Sequence, residues 1–372
     1  MSVTYIPKNI KNLLVFRAGG RCEFEGCNKD LSVDALTKIE FNDRQFAHII
    51  ADSPDGPRGC AESALYAKDI NNLMLMCPEH HKLIDDHEKL YTVEVLNAMK
   101  KKHEDRVKQL LALKPDKERT VVIFQARIGT RPAAVNNEDA REALWPDCYP
   151  SSGEPIELGF TNSSFDERDK AYWDIEKLNL ENQVKDKVLR LIESKKISRM
   201  ALFALAPMPL LVRLGTLLPE MYDVLVFQKH RTPNTWKWQK EYVPEQFELK
   251  KPDKTDGEPC LVFSVSANIR ERVEKQVPNA SIWEVTMPNP ELDCLKTENQ
   301  LSAFKQVTRD AFREINTNSD RPYVNVFMAV PNACAVEIGR VWMQKADKQL
   351  RLFDLYRNET TEEDRYAFTI EN

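Results

Sequence analysis

Nothing in this sequence of 372 residues has the pattern of a membrane span or an export signal. The first residues lack the charged-then-apolar order of a signal peptide, and the longest apolar run, Met200–Leu218, is interrupted by Pro207, Pro209 and Arg213. These absences predict a cytoplasmic protein with no membrane partner.

Glycine is scarce, and charge of one sign is not in excess. The chain has 11 Gly and a net charge of −5, which excludes a collagen-like repeat and a broad cationic surface for nucleic acid. Residues 1–115 contain 17 Lys and Arg against 17 Asp and Glu. Any contact of this part with DNA therefore has to be local, metal-assisted or built up by oligomerisation.

Two domains are predicted, with a boundary near Pro115. The segment Val93–Lys114 has apolar residues spaced for one face of a helix, and Pro115 ends it. Residues 1–115 therefore form one domain with a linker helix. Residues 120–372, where β-branched runs alternate with helical periodicity, form an α/β domain with a mainly parallel sheet covered by helices.

An internal repeat divides the α/β domain into two halves, at about 120–255 and 256–372. Ala204–Gly215 and Met328–Gly339 both pass from an apolar strand through Pro into a further apolar run, with eight residues from Pro to Gly in each. This repeat predicts a pseudo-two-fold pair. Such a pair places the strand ends and the helix N-termini around one cleft, where backbone N–H groups suit phosphates.

Eight cysteines in a chain without an export signal indicate metal ligands or buried thiols rather than a disulfide framework. Two short pairs, Cys22 with Cys27 and Cys77 with His80, are separated by fifty residues. Three thiolates and one imidazole at this spacing suit a tetrahedral structural zinc ion, Zn²⁺. We expect loss of any one ligand to unfold residues 20–90.

Between these pairs and directly after the second one, the sequence contains a further set of polar residues. His48 lies in an alternating, strand-like run, Asn72 stands five residues before Cys77, and His81 directly follows the last zinc ligand. This order, over residues 17–92, resembles the HNH nucleases with their zinc-stapled α+β fold, the ββα-metal fold.

Phosphodiester hydrolysis needs a base for the attacking water and a divalent cation at the phosphate. His48 is the candidate base. By the resemblance, His81 binds the catalytic metal, Mg²⁺ or another divalent cation, and Asn72 either holds the loop that orients His48 or contributes to the metal site. Asp85, one turn after His81, is placed to fix that imidazole.

Two points stay open in this assignment. Neighbouring residues on a helix point about 100° apart, so His80 and His81 divide the work; His80 is assigned to zinc, and His81 with Cys77 is the alternative pair. Many HNH nucleases carry an acidic residue directly before the base, where this chain has Ala47. The groups left to complete the metal shell are water, backbone carbonyls and the side chains of Asp43, Asp85 and His87.

The C-terminal part resembles the SAVED domain, a fusion of two CARF-like units that recognises cyclic oligonucleotides. The segments that carry this resemblance are Met200–Gly215, Val224–Arg231, Trp236–Trp238 and Pro331–Gly339. It implies a Rossmann-like fold for each half and, as ligand, a cyclic dinucleotide such as an isomer of cyclic GMP-AMP.

A ligand with two bases and two phosphates calls for aromatic rings, cations and helix N-termini. The candidate ligand-binding residues are Gln125, Arg127, Pro207, Met208, Arg231, Trp236, Lys237, Trp238, Pro331 and Asn332. Arg213 and Glu337, which occupy matching repeat positions with opposite charge, are predicted to pair across the cleft or between subunits.

Together the two parts resemble the HNH-SAVED effector nucleases of bacterial CBASS antiphage systems. This implies an endonuclease for double-stranded DNA that stays inactive until a cyclic dinucleotide drives formation of a homo-oligomer, a dimer or tetramer. Two alternatives remain. One is an HNH restriction nuclease whose C-terminal domain reads modified DNA, and the other is a zinc module that binds nucleic acid without catalysis.

Overall fold

The computed structural model of the chain describes residues 4–34, 36–128, 134–159, 165, 169–240, 247–357 and 362–371. The chain divides into two compact units, Met1–Pro115 and Asp116–Asn372, called here the N-unit and the C-unit. Among the described residues, no helix is both long enough and apolar enough to cross a bilayer.

The N-unit combines helices with a two-stranded antiparallel sheet. Its elements are α1 (Lys8–Arg17), β1 (Gln45–His48), α2 (Ser63–Tyr66), β2 (Leu73–Met76), α3 (Pro78–Asp86) and α4 (Val93–Leu111). In the sheet, His48 pairs with Leu73. Every residue of β2 is buried, because this apolar strand lies in the small core that the helices share with the sheet.

The linker helix begins where the sequence predicts it and ends slightly earlier. The Thr92 hydroxyl accepts a hydrogen bond from the Val95 amide at 3.4 Å and so caps the start of α4. The helix ends at Leu111 rather than at the predicted Lys114, and a 3₁₀ turn begins at Pro115.

The C-unit alternates strands and helices. In chain order its elements are β3 (Glu118–Gln125), α5 (Asn137–Ala143), β4 (Tyr149–Pro150), β5 (Ile156–Leu158), α6 (Lys170–Gln183), α7 (Arg190–Glu193), β6 (Arg199–Leu205), α8 (Met208–Leu217), β7 (Asp223–Phe227), β8 (Glu248–Lys250), β9 (Glu258–Ser264), α9 (Arg270–Gln276), β10 (Ala280–Thr286), α10 (Glu298–Asn318), β11 (Tyr323–Ala329), α11 (Asn332–Val341), β12 (Gln349–Arg357) and β13 (Glu362–Ile370). A π-helical segment, Val184–Leu189, joins α6 to α7.

The described strands of the C-unit form two sheets rather than one. The first has the order β4-β3-β6-β7, with β5 also paired to β3, and the second has the order β13-β12-β11-β9-β10-β8. All pairs are parallel except β8 with β10 and β12 with β13. Since β8 belongs to the second sheet, the second half begins before Glu248 and not at the predicted residue 256.

The two halves of the C-unit repeat the same order of elements. Strands β3, β6 and β7 are neighbours in one sheet as β9, β11 and β12 are in the other. Helices α8 and α11 cross where both lack a side chain: a Cβ on Gly215 would lie 2.0 Å from the Val336 oxygen, and one on Gly339 would lie 1.9 Å from the Val212 oxygen. These reciprocal contacts give the repeat a local two-fold relation at the helix crossing.

Candidate functional site

Four donor atoms of the N-unit, from Cys22, Cys27, Cys77 and His80, lie within 4.8 Å of one another. The Sγ atoms of Cys22 and Cys77 are 3.8 Å apart, and Nδ1 of His80 lies 3.1 Å from the Cys77 sulfur and 3.9 Å from that of Cys22. Sulfur ligands at the usual Zn–S distance stand about 3.8 Å apart in a tetrahedron. These four residues, Cys22, Cys27, Cys77 and His80, are called here the zinc cage. The zinc cage has the size and the donor set that a zinc ion requires.

Backbone turns bring these ligands together. The turn after Cys22 contains Gly26 at φ 85°, a conformation that glycine adopts without strain. The Cys77 amide donates to the Cys22 sulfur at 3.4 Å, and Cys77 is the N-cap of α3. His80 lies in the first turn of that helix, where the ring of Phe24 stacks on it with centroids 4.1 Å apart.

Burial raises the pKa of the Cys22 thiol to about 12, although hydrogen bonds from the backbone of Cys77 and Phe24 act in the opposite direction. Burial also raises the pKa of Cys77. Thiols in such surroundings stay protonated at neutral pH unless a cation lies beside them, and a coordinated zinc ion deprotonates its thiol ligands. Burial raises the pKa of Cys260 in the C-unit to about 12 as well, so the fit to a metal rests on the four converging donor atoms and not on these pKa values.

His48, the candidate base, is the last residue of β1 and is 8% exposed. Its Nε2 lies 2.9 Å from the carbonyl oxygen of Ala67, which follows α2. A carbonyl oxygen can only accept, so Nε2 carries the proton in this contact, and Nδ1 of the neutral ring keeps its lone pair. The ring is thereby held in the tautomer that a base acting through Nδ1 needs.

Asn72 holds the loop that follows His48, which is the first of its two predicted roles. Its Oδ1 accepts from the Ile50 amide at 2.8 Å, and its Nδ2 donates to the carbonyl oxygens of Ile50 at 2.8 Å and Tyr66 at 3.2 Å. The side chain is buried and fully engaged with backbone, so it is not presented to a metal.

His81 points to a different partner from its neighbour His80. Its Nε2 lies 3.5 Å from Oδ2 of Asp85, one turn later on α3, and both side chains are about one-third exposed. Burial lowers the pKa of His81, with the Asp85 carboxylate opposing the shift and His48 adding to it. A neutral, partly exposed imidazole beside a carboxylate is suited to bind a divalent cation.

Arg58 is the residue that sequence reasoning missed in the N-unit. Its side chain is 5% exposed and its guanidinium donates to Oδ1 of Asp85 at 2.8 Å. It also donates to the carbonyl oxygens of Ile49 at 2.6 Å and Ile84 at 2.7 Å. Arg58 therefore links the end of β1 to α3. The available signal was its place beside glycine in a turn-rich loop.

The other groups considered for the metal shell lie elsewhere. Asp43 pairs with Lys29 at 2.7 Å, and Nδ1 of His87 lies 3.2 Å from the Leu83 carbonyl. Ala47 is fully buried. Within the described ranges, only the four-residue zinc cage gathers three or more His, Cys, Asp or Glu ligands, so His81 and Asp85 stand as a pair.

The starts of α8 and α11, both predicted to bind the ligand, have matching backbone angles in the C-unit. Pro207 precedes Met208 of α8 with φ −54° and ψ 142°, and Pro331 precedes Asn332 of α11 with φ −59° and ψ 151°. The Asn332 side chain donates to the carbonyl oxygen of Ala204 in β6 at 3.4 Å. The start of α11 therefore lies beside a strand end of the other half.

Gln228 occupies part of the predicted phosphate site. Its Oε1 accepts from the backbone amide of Ala333 at 3.0 Å and so caps α11, although Gln228 itself follows β7 in the first half. One of the amides expected to be available to a phosphate is thus already bonded. Residue spacing gives no sign of this contact, because Gln228 and Ala333 are 105 residues apart in the sequence.

Trp236 corrects the predicted set of ligand-binding residues. It is 1% exposed, and its ring meets Phe203 edge to face with centroids 5.2 Å apart, over the face of the first sheet that includes Val121. Burial of a large indole on an apolar sheet face is more favourable than exposure in a loop. Trp236 therefore presents no ring face to a ligand.

Lys237 and Trp238 line a cavity of about 580 Å³ together with Trp145 and Lys240. The Lys237 ammonium lies 2.6 Å from Oε1 of Glu142. Neither helix start lines this cavity, so the described residues do not gather the ten candidates into one pocket.

The remaining candidates take part in loop contacts. The Arg231 amide donates to Oδ1 of Asp293 at 3.3 Å. Oε1 of Gln125 accepts from the Val135 amide at 3.0 Å. The carbonyl oxygen of Arg127 accepts from the Tyr172 hydroxyl at 3.0 Å, at a strand end of the first half.

Arg213 and Glu337 do not pair with each other across the cleft, the first of the two predicted arrangements, and pairing between subunits stays a prediction. Arg213 lies 2.7 Å from Glu181 of α6. Glu337 is buried and faces Lys305 at 3.5 Å and Arg340 at 3.4 Å. Within the chain, each charge therefore lies beside a charge of opposite sign on a neighbouring or the same helix.

The family described as the SMODS-associated and fused to various effectors sensor domain, SAVED, matches residues 180–371. Among solved structures, the Cap4 SAVED/CARF-domain containing receptor of Acinetobacter baumannii with the cyclic trinucleotide 2′3′3′-cAAA is 11% identical, with a TM-score of 0.46, covering 84% of this chain and 67% of that one. The structure of the same receptor with 3′3′3′-cAAA is 10% identical, with a TM-score of 0.47, covering 79% of this chain and 62% of that one.

The Cap4 SAVED/CARF-domain containing receptor of Moraxella osloensis is 12% identical, with a TM-score of 0.42, covering 82% of this chain and 66% of that one. The matched regions thus take in roughly two thirds of the length of these receptors. No curated protein matches the sequence.

Proposed function

The chain belongs to the SAVED family of sensor domains, since the match takes in more than half of its residues, and from this premise we propose a ligand-controlled DNA endonuclease. In this proposal the C-unit binds a cyclic oligonucleotide, and the bound ligand drives assembly of the chain into a dimer or tetramer. The N-unit is the effector to which the sensor is fused, and it hydrolyses double-stranded DNA.

One observation carries the nuclease part of the proposal: the contact of His48 Nε2 with the Ala67 carbonyl at 2.9 Å, beside a loop held by Asn72. The contact leaves Nδ1 with the lone pair that a general base needs. His103 of α4 makes the same contact with the Ala18 carbonyl at 2.9 Å, so the contact supports a base only together with the position of His48 in the HNH-like order. The zinc-sized cage at Cys77 supports the same proposal, because it fixes the start of the helix that carries His81.

In the proposed reaction, Nδ1 of His48 accepts a proton from the water that attacks the phosphodiester, and the bond to the 3′-oxygen breaks. His81 would hold a divalent cation, with Asp85 orienting its ring and water completing the shell. Mg²⁺ tolerates a shell of this kind. That cation, when bound, would neutralise charge on the phosphate and on the departing oxygen. Arg58 keeps the Asp85 carboxylate in place.

The proposal that the C-unit binds a cyclic oligonucleotide is supported by the matching starts of α8 and α11 and by the cavity near β7. The rings of Trp145 and Trp238 line that cavity, as do Lys237 and Lys240, which are paired with Glu142 at 2.6 Å and with Asp147 at 3.8 Å. Rings suit the bases of a cyclic oligonucleotide, and the two lysines would exchange these exposed carboxylates for its phosphates. We propose a cyclic dinucleotide, such as an isomer of cyclic GMP-AMP, as the ligand.

A direct test incubates the whole chain with supercoiled plasmid and Mg²⁺, with and without a panel of cyclic dinucleotides and trinucleotides. We expect cleavage only with one class of cyclic nucleotide, and loss of cleavage in His48→Ala. The matched control is His87→Ala, which removes an exposed histidine just after α3 and should leave cleavage intact.

Two outcomes would contradict different parts of the proposal. Equal cleavage with and without every nucleotide removes ligand control but leaves the nuclease. Cleavage that survives His48→Ala removes the proposed base.

A non-catalytic DNA-binding module is the second candidate, because the described N-unit gathers only the zinc cage and leaves His81 and Asp85 as a pair. That alternative predicts duplex binding without any cleavage under the same conditions. Calorimetry of the His48→Ala chain with cyclic nucleotides, against modified duplexes, separates a nucleotide sensor from a domain that reads modified DNA.

A further inference from the structure

A cleft of about 660 Å³ lies beside His81 in the N-unit. Its walls come from the segment before α1, from α1 itself, from β1 and from α3. The lining residues that matter here are Tyr5, Lys11, Phe46 and Lys82, together with His81. A cleft of this size next to the proposed metal ligand is large enough for a nucleotide unit of a polymer.

Two lysines in this cleft are free to bind an anion. Within the part of the chain that the structure describes, neither Lys11 nor Lys82 forms an ion pair. Asp85 and Asp86 also line the cleft, but Asp85 is already bonded to Arg58 at 2.8 Å. The cleft therefore offers two unpaired cations against one exposed, unpaired carboxylate.

The charge of the N-unit is distributed unevenly along its sequence. The residues before Glu23 include Lys8, Lys11, Arg17 and Arg21 and no Asp or Glu, although residues 1–115 are balanced at 17 charges of each sign. Residues 1–22 thus have four cations and no carboxylate, and residues 93–114 are the other basic stretch, with six cations against three carboxylates. Of the four cations near α1, Lys11 lines the cleft and supplies local positive charge of the kind that phosphate binding requires.

Aromatic rings lie beside these cations. The Lys11 ammonium is 5.2 Å from the ring centroid of Phe46 and 6.0 Å from that of Tyr5, which is 74% exposed. Phe46 and His48 are two residues apart on β1, so their side chains leave the same face of the strand. Phe46 therefore lies on the same face of β1 as the proposed base, although His48 itself does not line the cleft.

Resting on the nuclease function proposed above, we infer that this cleft is the strand-binding groove of the N-unit. Lys11 and Lys82 bind backbone phosphates next to the one that is cut, and Tyr5 and Phe46 pack against a sugar or base of the same strand. The groove supplies the positive contact that a neutral unit needs in order to hold DNA.

The test measures binding of a fluorescent DNA duplex to the whole chain carrying His48→Ala, without added divalent metal, between about 50 and 200 mM salt. The cyclic nucleotide that activates cleavage is included if one is found. Log affinity falls as log salt rises, and each phosphate contact contributes about 0.9 to the steepness of this fall. Adding Lys11→Gln and Lys82→Gln should therefore make the fall less steep by about 1.8. Tyr5→Ala should weaken binding at least about fivefold without changing the slope.

Lys101→Gln is the matched control, because this exposed lysine of α4 does not line the cleft and should leave both affinity and slope unchanged. Zinc content and melting temperature check that each variant is folded. Unchanged affinity and slope in the folded double variant overturn the groove and leave the nuclease standing. If the wild-type chain neither binds nor cuts any duplex, the proposed nuclease is wrong instead.

Discussion

The N-unit and the C-unit are stabilised by different means. The N-unit has a small core around Leu14, Leu75 and Ile84, and its only described sheet is a two-stranded pair that is marginal alone. The C-unit has two larger sheets and one apolar core that runs through both of its halves. We therefore expect the N-unit to depend on a metal held by its four-residue cage, and the C-unit to depend on close packing where α8 and α11 cross.

The largest expected effect is loss of the cage. In Cys77→Ser we expect zinc to be lost and the N-unit to unfold while the C-unit melts as before. Structural zinc contributes about 10–16 kcal/mol in small zinc domains, as much as the whole stability of an ordinary domain. Calorimetry and zinc analysis measure both effects. Cys60→Ser, outside the cage, is the control, and a Cys77→Ser chain with both transitions intact would show that the N-unit does not need the metal.

The next largest effect should occur in the C-unit. In Gly339→Ala the new Cβ would lie 1.9 Å from the Val212 oxygen, so α8 and α11 must separate. We expect a loss of about 3 kcal/mol and a melting temperature of the C-unit lower by roughly 6–12 °C. Gly153→Ala, where a Cβ meets open space, is the control. Equal melting temperatures for Gly339→Ala and Gly153→Ala would mean that α8 and α11 are not closely packed where they cross.

Arg58→Lys should have a smaller effect, limited to the N-unit. Lysine keeps the charge but cannot reach Ile49, Ile84 and Asp85 together, and the buried carbonyls lose their donors. We expect a loss of about 2 kcal/mol in urea unfolding, with zinc content unchanged. Arg17→Lys, at an exposed position, should change nothing. If Arg58→Lys reduces plasmid cleavage under conditions where the N-unit is still folded, Arg58 acts as a positioning residue.

The smallest effect compares one substitution in both units. Thr297 caps α10 in a reciprocal capping box with Gln300, while Thr92 caps α4 through one hydrogen bond of 3.4 Å. We expect Thr297→Ala to destabilise the C-unit by about 1 kcal/mol and Thr92→Ala to destabilise the N-unit by about half of that. Two-transition calorimetry measures both, and the reverse order would contradict the ranking of the caps.

Features encoded by local spacing could be predicted from the sequence. The four cage ligands fall into two short pairs, and each pair is brought together by a turn within a few residues. The repeat was visible because Pro207 and Gly215 recur as Pro331 and Gly339 at the same spacing. The alternation of strand and helix patterns also indicated the α/β character of the C-unit.

Features that depend on distant contacts could not be predicted. Arg58 acts through carbonyls of two elements that only the folded chain brings together, and Gln228 caps a helix more than a hundred residues away. Trp236 looked like a ring for a ligand, but the sheet face that buries it is made of residues far apart in sequence, such as Val121 and Phe203. Burial and charge pairing are decided by tertiary neighbours, which residue spacing does not reveal.

Cys77 makes two contacts that matter for the newly synthesised chain before it binds metal. It is a cage ligand, and its carbonyl oxygen accepts the hydrogen bond from the His81 amide at 3.0 Å in the first turn of α3. A newly synthesised chain that has not acquired its metal would therefore lack both the closed turn and the ordered histidine. If the N-unit cuts DNA as proposed, a chain without its metal would not cut DNA.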